Sequence, residues 1–396
     1  MSVPASILVV GGGLAGHTLA ATLRRSGYRG RVTVLEAETN PPYDRPALSK
    51  GYLLGALSLE EIGYEPLPDV ELLLGTAVTA LDVARRRVEC VDGRAREAEA
   101  VVLATGAAAV VPDWALECAD DEDVHALRDL ADADRLRAAI GGGGRLAVLG
   151  GGFVGVEAAG AAAAAGVGTT LVHSGPAPLA GVLPDRVAGA AAARHEDRGI
   201  RLHRGRAHGL RREHAGLVVE TGTGPVTADG VLLALGGRPR TGWLRGGGVR
   251  LRSDGRIACD TVGRTDVPGV FAVGDCARWG EEQHGGHWDQ ASLRAQRLAM
   301  TLLGEAGAAP EPPPYVWSDH LGVRVQLAGD VLGGTLVPVA GGSLEAPETW
   351  TAEAPSGCAA VAADGVIVGV IAVGDARSFG RQRRRIGDPA AVASPL

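Results

Sequence analysis

Ser6-Ile7-Leu8-Val9-Val10-Gly11-Gly12-Gly13-Leu14-Ala15-Gly16 reads as a short buried strand running directly into a Gly-x-Gly-x-x-Gly turn. A helical stretch follows to about Ser26, then a second strand over Arg31–Glu36, giving a β-α-β unit. Each glycine has a separate physical task. Gly11 permits the tight turn out of the strand, Gly13 lets backbone approach a pyrophosphate, and Gly16 lets helix pack on strand. The helix N-terminus offers N–H groups and a partial positive charge to phosphates. Glu36, closing the second strand, is placed to accept hydrogen bonds from an adenosine ribose.

The pattern recurs. Arg145–Leu149 reads as a strand, Gly150-Gly151-Gly152-Phe153-Val154-Gly155 as the turn, Val156–Ala165 as a helix and Thr169–His173 as a strand. Gly150, Gly152 and Gly155 take the three glycine tasks. His173, followed by Ser174, stands where the first copy has its ribose acid. A neutral imidazole does not repel a 2′-phosphate as a carboxylate does, and a protonated one attracts it. The choice between NADH and NADPH is therefore open, and His173 also has a plain reading as a strand-end residue touching the ribose loosely.

Two copies of one supersecondary unit need two sheets, and hence two domains. Gly141–Gly144 is a tight connection, and Pro310–Pro314 a break after a helix over Asp289–Leu303. Beyond it, strand-like runs at Val323–Leu327, Leu336–Val339 and Gly365–Val373 suggest a small closing domain. The expected fold class is α/β: two Rossmann-like dinucleotide-binding domains plus a small C-terminal α+β domain. The first is discontinuous, over 1–107 and 237–311; the second covers 108–236 and the third 312–396.

Composition sets bounds. Of 396 residues, 46% are hydrophobic and 21% charged, the balance of a globular protein. A net charge of −7 gives no bulk attraction to nucleic acid or an anionic membrane. Basic clusters at Arg204–Arg212 and Arg381–Arg385 read as solvated faces. The apolar run around Ala158–Val167 is Ala/Gly-rich and preceded by Glu157, so no membrane span is expected, and the residues before Ile7 give no expectation of a secretory signal. Five cysteines with no Cys-x-x-Cys argue for a reducing compartment, the cytoplasm by default, and against a redox-active dithiol. Basic residues total 39, yet Lys50 is the only lysine. Where every other basic position is arginine, a lone lysine points to a chemical task. Its plain alternative is an ordinary surface lysine.

Two further segments end in small-residue turns: Val101–Ala107, containing Thr105 and Gly106, and Val270–Asp275, ending in Gly274-Asp275. The order Gly-x-Gly-x-x-Gly, Ala-Thr-Gly, Gly-x-Gly-x-x-Gly, Gly-Asp resembles the FAD-dependent pyridine nucleotide–disulfide oxidoreductase superfamily. Within it, Pro42-Tyr43-Asp44-Arg45-Pro46-Ala47-Leu48-Ser49-Lys50 resembles a segment of the ferredoxin and rubredoxin reductases that feed oxygenases and cytochromes P450. His287-Trp288 and Pro314-Tyr315-Val316-Trp317-Ser318-Asp319 are similar to two other segments of that subfamily.

The resemblance implies FAD on the first motif and NADH or NADPH on the second. It implies that Gly11, Gly13, Gly16 and Glu36 hold the ADP half of FAD, and that Asp275, after Gly274, bonds the ribityl chain. Arg45 and Pro46 would lie near the pyrophosphate and flavin, with Lys50 by the flavin N5 edge. Glu157 would lie beside the nicotinamide and pair with Lys50. Trp288 and Trp317 would flank the isoalloxazine, and Arg128 would approach the FAD phosphates. Thr105, Gly106, Gly236 and His287 complete the expected cofactor-binding set, in which Lys50, Glu157 and Trp317 carry the catalytic roles. An ammonium near the flavin stabilises negative charge on the reduced ring. Glu157 has a second reading as a carboxylate at a helix N-terminus, and Trp317 as inter-domain core.

Disulfide reductases of the superfamily carry a cysteine pair after the first β-α-β unit. Here that region reads Ala47-Leu48-Ser49-Lys50-Gly51, and Cys276 reads as a small buried residue. Electrons would then leave from the flavin to a small iron–sulfur partner, a ferredoxin or rubredoxin. Two other outcomes stay open: an oxidase or biosynthetic enzyme acting on oxygen or a small molecule, and a slow nucleotide-sensing flavoprotein. A monomer or homodimer is expected. Glu281, Glu282, Gln283, His284 and His287 read as a loop, and no metal is expected. Three departures from the family pattern stand out: a short segment between Gly51 and Val70 with no obvious helix, Ala107-Ala108-Ala109 in place of Arg-Pro, and Gly286 in place of an acid.

Overall fold

A computed structural model describes residues 2–280, 288–305, 311–339 and 355–390. The chain divides into two compact units. One comprises Met1–Asp44, Leu59–Ala108 and Gly237–Pro312; the other comprises Arg45–Ser58, Ala109–Gly236 and Pro313–Leu396.

The first unit is built on a five-stranded parallel sheet. Its strand order is Val270–Ala272, Ala100–Leu103, Ser6–Val10, Arg31–Leu35, Val70–Leu73. The central strands are continuous apolar runs rather than alternating ones because both faces are covered, and Ile7 to Val10 are all buried. The helices Leu14–Arg25 and Trp288–Leu302 share one core with that sheet through Leu19, Leu23, Leu298 and Leu302. Arg294 on the second helix grips the Glu311 carboxylate through Nε and a terminal nitrogen at 3.2 and 2.9 Å and lies over the Trp279 ring.

Burial opposes ionisation of Glu311, but Arg294 and Arg297 more than offset it and hold its carboxyl below the usual value. A depressed folded value contributes stability above the unfolded value, and this contribution fades as pH falls through the folded one. Glu311→Gln is expected to cost about 1–3 kcal/mol at neutral pH, read as a lower Tm. The gap to wild type should narrow as pH falls below the ordinary glutamate value of about 4.3 and on through the lower folded one.

The second unit repeats the plan. Its parallel sheet runs Arg201–Arg204, Gly168–His173, Arg145–Leu149, Gly230–Leu233, Val124–His125. The helix Phe153–Ala164 is buried along nearly its whole length, from Gly155 to Ala162. Alanines and glycines let neighbours approach closely on every side, and Leu321 sits directly against Gly160. A helix apolar all round belongs in an interior. Glu157 is the one charged residue on it.

The same unit holds a five-stranded antiparallel sheet, in the order Tyr315–His320, Val323–Gly329, Val366–Val373, Gly357–Ala363, Thr335–Pro338. Two of these strands, Tyr315–His320 and Gly357–Ala363, carry no strong periodic signal. The second is Gly-Cys-Ala-Ala-Val-Ala-Ala, poor in β-branched residues, and is a strand because its neighbours bury it. The segment between Gly51 and Val70, expected to lack a helix, carries one turn at Leu59–Ile62. No helix among the described residues is long and apolar enough to cross a membrane.

Candidate functional site

In the first unit the strand Ser6–Val10 delivers Gly11 at φ +107, where its missing Cβ would strike the carbonyl of Ala104. Only glycine fits there. Gly16, one turn into the helix, lies under the Gly11 carbonyl so closely that any side chain would overlap it. Glu36 is buried and its carboxylate is fixed by two backbone N–H donors, Gly12 at 2.7 Å and Glu38 at 2.9 Å.

The next strands in the sheet, Ala100–Leu103 and Val270–Ala272, run parallel to Ser6–Val10. Their C-terminal ends therefore bring Thr105-Gly106 and Gly274-Asp275 to the edge where Gly11 turns, although the sequence separates them widely. Open α/β sheets hold ligands at this edge. Thr105 Oγ1 donates to the Arg240 carbonyl at 2.8 Å, and Gly106 and Gly274 adopt positive φ. Asp275 is half-buried. Trp288 is 38% exposed, with Nε1 donating to Asp44 at 2.8 Å. His287 and the residues Glu281 to His284 lie outside the described residues.

Cys276 is fully buried, its sulfur against the carbonyls of Leu103 and Val273, and burial pushes its thiol pKa up. A buried thiol of this kind is inert. All five cysteines are free.

In the second unit Gly150 repeats Gly11 at φ +120, and Gly155 repeats Gly16 beneath the Gly150 carbonyl. Gly236, also at positive φ, accepts a hydrogen bond from Val110 N–H at 3.1 Å. His173 is buried, and burial is the first cause of its lowered pKa.

A short 3-10 helix, Arg45–Ser49, packs in the same unit. Its Arg45 donates to the Arg128 carbonyl at 2.8 Å, so these two positions, 83 residues apart in the chain, meet. Lys50 Nζ lies 3.0 Å from Glu157 Oε1 and donates to the Pro46 carbonyl at 3.2 Å. The expected Lys50–Glu157 pair is thus present.

The carboxylate of Glu157 is 6% exposed as a residue and is saturated with donors. Ser49 Oγ donates to Oε2 at 2.5 Å; Ser318 Oγ, Lys50 and the Asp319 N–H, at 3.3 Å, reach Oε1. Four donors hold the buried carboxylate in one orientation. Sequence reading gave Ser49 and Ser318 no role. Each lies inside a quoted segment, but a lone serine carries no signal, and only the fold brings both to one carboxylate.

Alternation along Tyr315–His320 explains the geometry. Ser318 and His320 are buried on one side, while Tyr315 and Trp317 are half-buried on the other, with rings stacked at 5.6 Å. His320 has no hydrogen-bond partner at either ring nitrogen among the described residues. Burial first, then the charges of His195 and Lys50, push its pKa down to about 3, so it is neutral.

The two glycine turns fit a dinucleotide. The helices Leu14–Arg25 and Phe153–Ala164 begin on Gly13 and Gly152 with no side-chain cap. By contrast, Leu130–Gly142 and Ala376–Arg383 are capped by Asp129 and Asp375. An uncapped N-terminus presents backbone donors to an anion. A Cβ built on exposed Gly152 meets nothing within 4 Å, so the glycine there answers no demand of the protein's own packing. Among the described residues no His/Cys/Asp/Glu group is arranged to hold a metal ion.

A family model described as pyridine nucleotide-disulphide oxidoreductase matches residues 5–295. The chain is 32% identical over 402 residues to the biphenyl dioxygenase system ferredoxin–NAD(+) reductase component of Paraburkholderia xenovorans (strain LB400), covering 98% of this chain and 95% of that one. It is 30% identical over 340 residues to the rubredoxin–NAD(+) reductase of Ectopseudomonas oleovorans, covering 82% and 86%. Its fold matches that in the crystal structure of the covalent putidaredoxin reductase–putidaredoxin complex with a TM-score of 0.86 at 26% identity, covering 97% of this chain and 93% of that chain.

Proposed function

The chain belongs to the pyridine nucleotide-disulphide oxidoreductase family, and from that premise we propose that it is an FAD-dependent NAD(P)H:ferredoxin oxidoreductase serving an oxygenase or cytochrome P450. The observation that carries the reading is the Lys50–Glu157 pair, at 3.0 Å, on the segment where disulfide-reducing members have their cysteines. The first cysteine in the chain is Cys90, so no thiol relay stands there. Bound FAD would supply the chemistry that turns a two-electron hydride donor, the reduced nicotinamide, into a source of single electrons, with a proton released to solvent, which is the conversion an iron–sulfur acceptor needs.

The protein's residues bind, orient and set charge. We assign Gly11, Gly13, Gly16 and Glu36 to the ADP half of FAD, with Thr105, Gly106, Gly274 and Asp275 at the same sheet edge. Gly150, Gly152, Gly155 and Gly236 serve the nicotinamide nucleotide. Glu157, clamped by two serines, orients the nicotinamide and holds Lys50 in place. Lys50 supplies positive charge to the flavin; Arg45 and Pro46 are assigned near the pyrophosphate and flavin, and Arg128 to the FAD phosphates. The family resemblance would give Trp288 and Trp317 the role of flanking the isoalloxazine. Orientation of this kind is worth several orders of magnitude in rate. The proposed acceptor is a small acidic ferredoxin or a rubredoxin, met by surface arginines. Five cysteines without a disulfide support a reducing compartment, and the proposed location is the cytoplasm; a monomer or homodimer is proposed.

Stopped-flow mixing tests the reading. The purified protein is expected to be yellow, to bleach rapidly with NADH or NADPH, to reoxidise slowly in air and to reoxidise rapidly with added ferredoxin. Rapid reoxidation by oxygen alone would replace the reductase with an oxidase. A long-lived charge-transfer complex with negligible turnover would replace it with a nucleotide sensor.

A further inference from the structure

The two glycine turns differ in one side chain at one equivalent place. In the first, Glu36 follows the strand Arg31–Leu35, and the Cβ that Gly12 lacks would sit 3.2 Å from the Glu36 Cβ. In the second, Gly168–His173 ends in His173, and the Cβ that Gly151 lacks would sit 2.9 Å from the His173 Cβ. Glu36 and His173 thus stand in the same relation to their turns, one a fixed carboxylate and the other an imidazole. Burial, with the charges of Arg204 and His203 adding to it, lowers the His173 pKa, so the ring is neutral near pH 7.

Arg204 is the register partner of His173 on the adjacent strand Arg201–Arg204. It is exposed and, among the described residues, enters no salt bridge. Arg206 in the same basic cluster is likewise exposed and enters no salt bridge among the described residues, whereas Arg211 is held by Glu213 and Glu220, and Arg212 by Asp121 and Asp123; what sets Arg204 apart is its pairing with His173. The cluster is therefore not one uniform solvated face. Ser174, exposed, follows His173 directly.

We propose that His173, Ser174 and Arg204 form a subsite for the 2′-phosphate of the adenosine ribose, so that the preferred electron donor is a 2′-phosphorylated nicotinamide dinucleotide. The inference rests on the reading of the second motif as a nicotinamide-nucleotide site. A carboxylate at this position would repel a phosphate carrying close to two negative charges. Its replacement by a neutral ring removes that repulsion. The planar guanidinium of Arg204 supplies paired donors of the geometry phosphate accepts. The Ser174 hydroxyl adds a second donor type.

The test is equilibrium titration calorimetry of the FAD-loaded protein with 2′,5′-ADP and with 5′-AMP, which differ only in the 2′-phosphate. The first should bind at least tenfold more tightly. Arg204→Ala should erase most of that advantage and leave 5′-AMP affinity unchanged, whereas Arg206→Ala should keep it. His173→Glu should reverse the order. Equal affinity for the two probes, or an advantage that survives Arg204→Ala, would overturn the subsite. Equal losses in the Arg204 and Arg206 variants would also overturn it, by showing diffuse attraction to basic residues. Failure of both probes to bind the flavin-loaded protein would instead bring down the nucleotide reading of the second motif, and the subsite with it.

Discussion

Gly152→Val is expected to yield a folded, yellow protein that has lost nicotinamide nucleotide binding by at least a hundredfold, about 2.7 kcal/mol. The reason lies in where the new side chain goes. Gly152 has φ −82 and ψ −178, a conformation valine adopts freely, and nothing lies within 4 Å of its Cβ direction. The fold therefore has no steric objection, and the loss of a favourable N-cap costs only about 1 kcal/mol or less. The branched side chain would stand over the uncapped N-terminus of Phe153–Ala164, where a pyrophosphate needs the backbone.

Gly155→Ala makes the opposite case. Its Cβ would strike the Gly150 carbonyl, a backbone atom that cannot rotate away, so the protein itself should be destabilised by about 1–3 kcal/mol. Thermal melts paired with nucleotide titrations separate the two. A Gly152→Val protein that binds nucleotide normally would mean the second turn is only a structural bend.

Glu157→Leu is expected to destabilise the protein by about 3 kcal/mol, toward the low end for breaking a buried pair, because the Lys50 ammonium it strands is only partly buried while the two serine hydroxyls are buried. Lys50 would keep only the Pro46 carbonyl, and the buried hydroxyls of Ser49 and Ser318 would lose their carboxylate acceptor. The Tm should fall by on the order of 10 °C. Removing the whole pair differs from breaking it. Lys50→Met combined with Glu157→Leu should therefore be more stable than Glu157→Leu alone, while remaining slow in flavin reduction.

Lys50→Ala, with Glu157 intact, should keep FAD bound and slow flavin bleaching at least tenfold, about 1.4 kcal/mol in barrier. Together the variants separate support from chemistry: stability tracks whether the pair is balanced, and reduction rate tracks whether the ammonium is present. An unchanged bleaching rate in Lys50→Ala would refute its role at the flavin.

Local pattern carried the sequence a long way. Ser6–Val10 and Arg145–Leu149 end where the reading placed them, because buried parallel strands are unbroken apolar runs and the glycines after them punctuate sharply. The second helix starts at Phe153 rather than Val156, since a glycine cap hides its first turn from periodicity. The pairing of Lys50 with Glu157 was legible only through the resemblance of a nine-residue segment, with the lone lysine pointing to the same residue independently.

Tertiary structure decided the rest. Which unit the Arg45–Ser49 helix joins, which face of Tyr315–His320 turns inward, and that Ser49 and Ser318 both close on one carboxylate are matters of chain topology. Those partners lie 108 and 161 residues from Glu157. The same holds for His173 and Arg204, which become neighbours only when their strands pair. Propensity and periodicity act over a few residues and so write themselves into the sequence. A carboxylate's full set of donors is assembled by packing, and no short-range pattern records it.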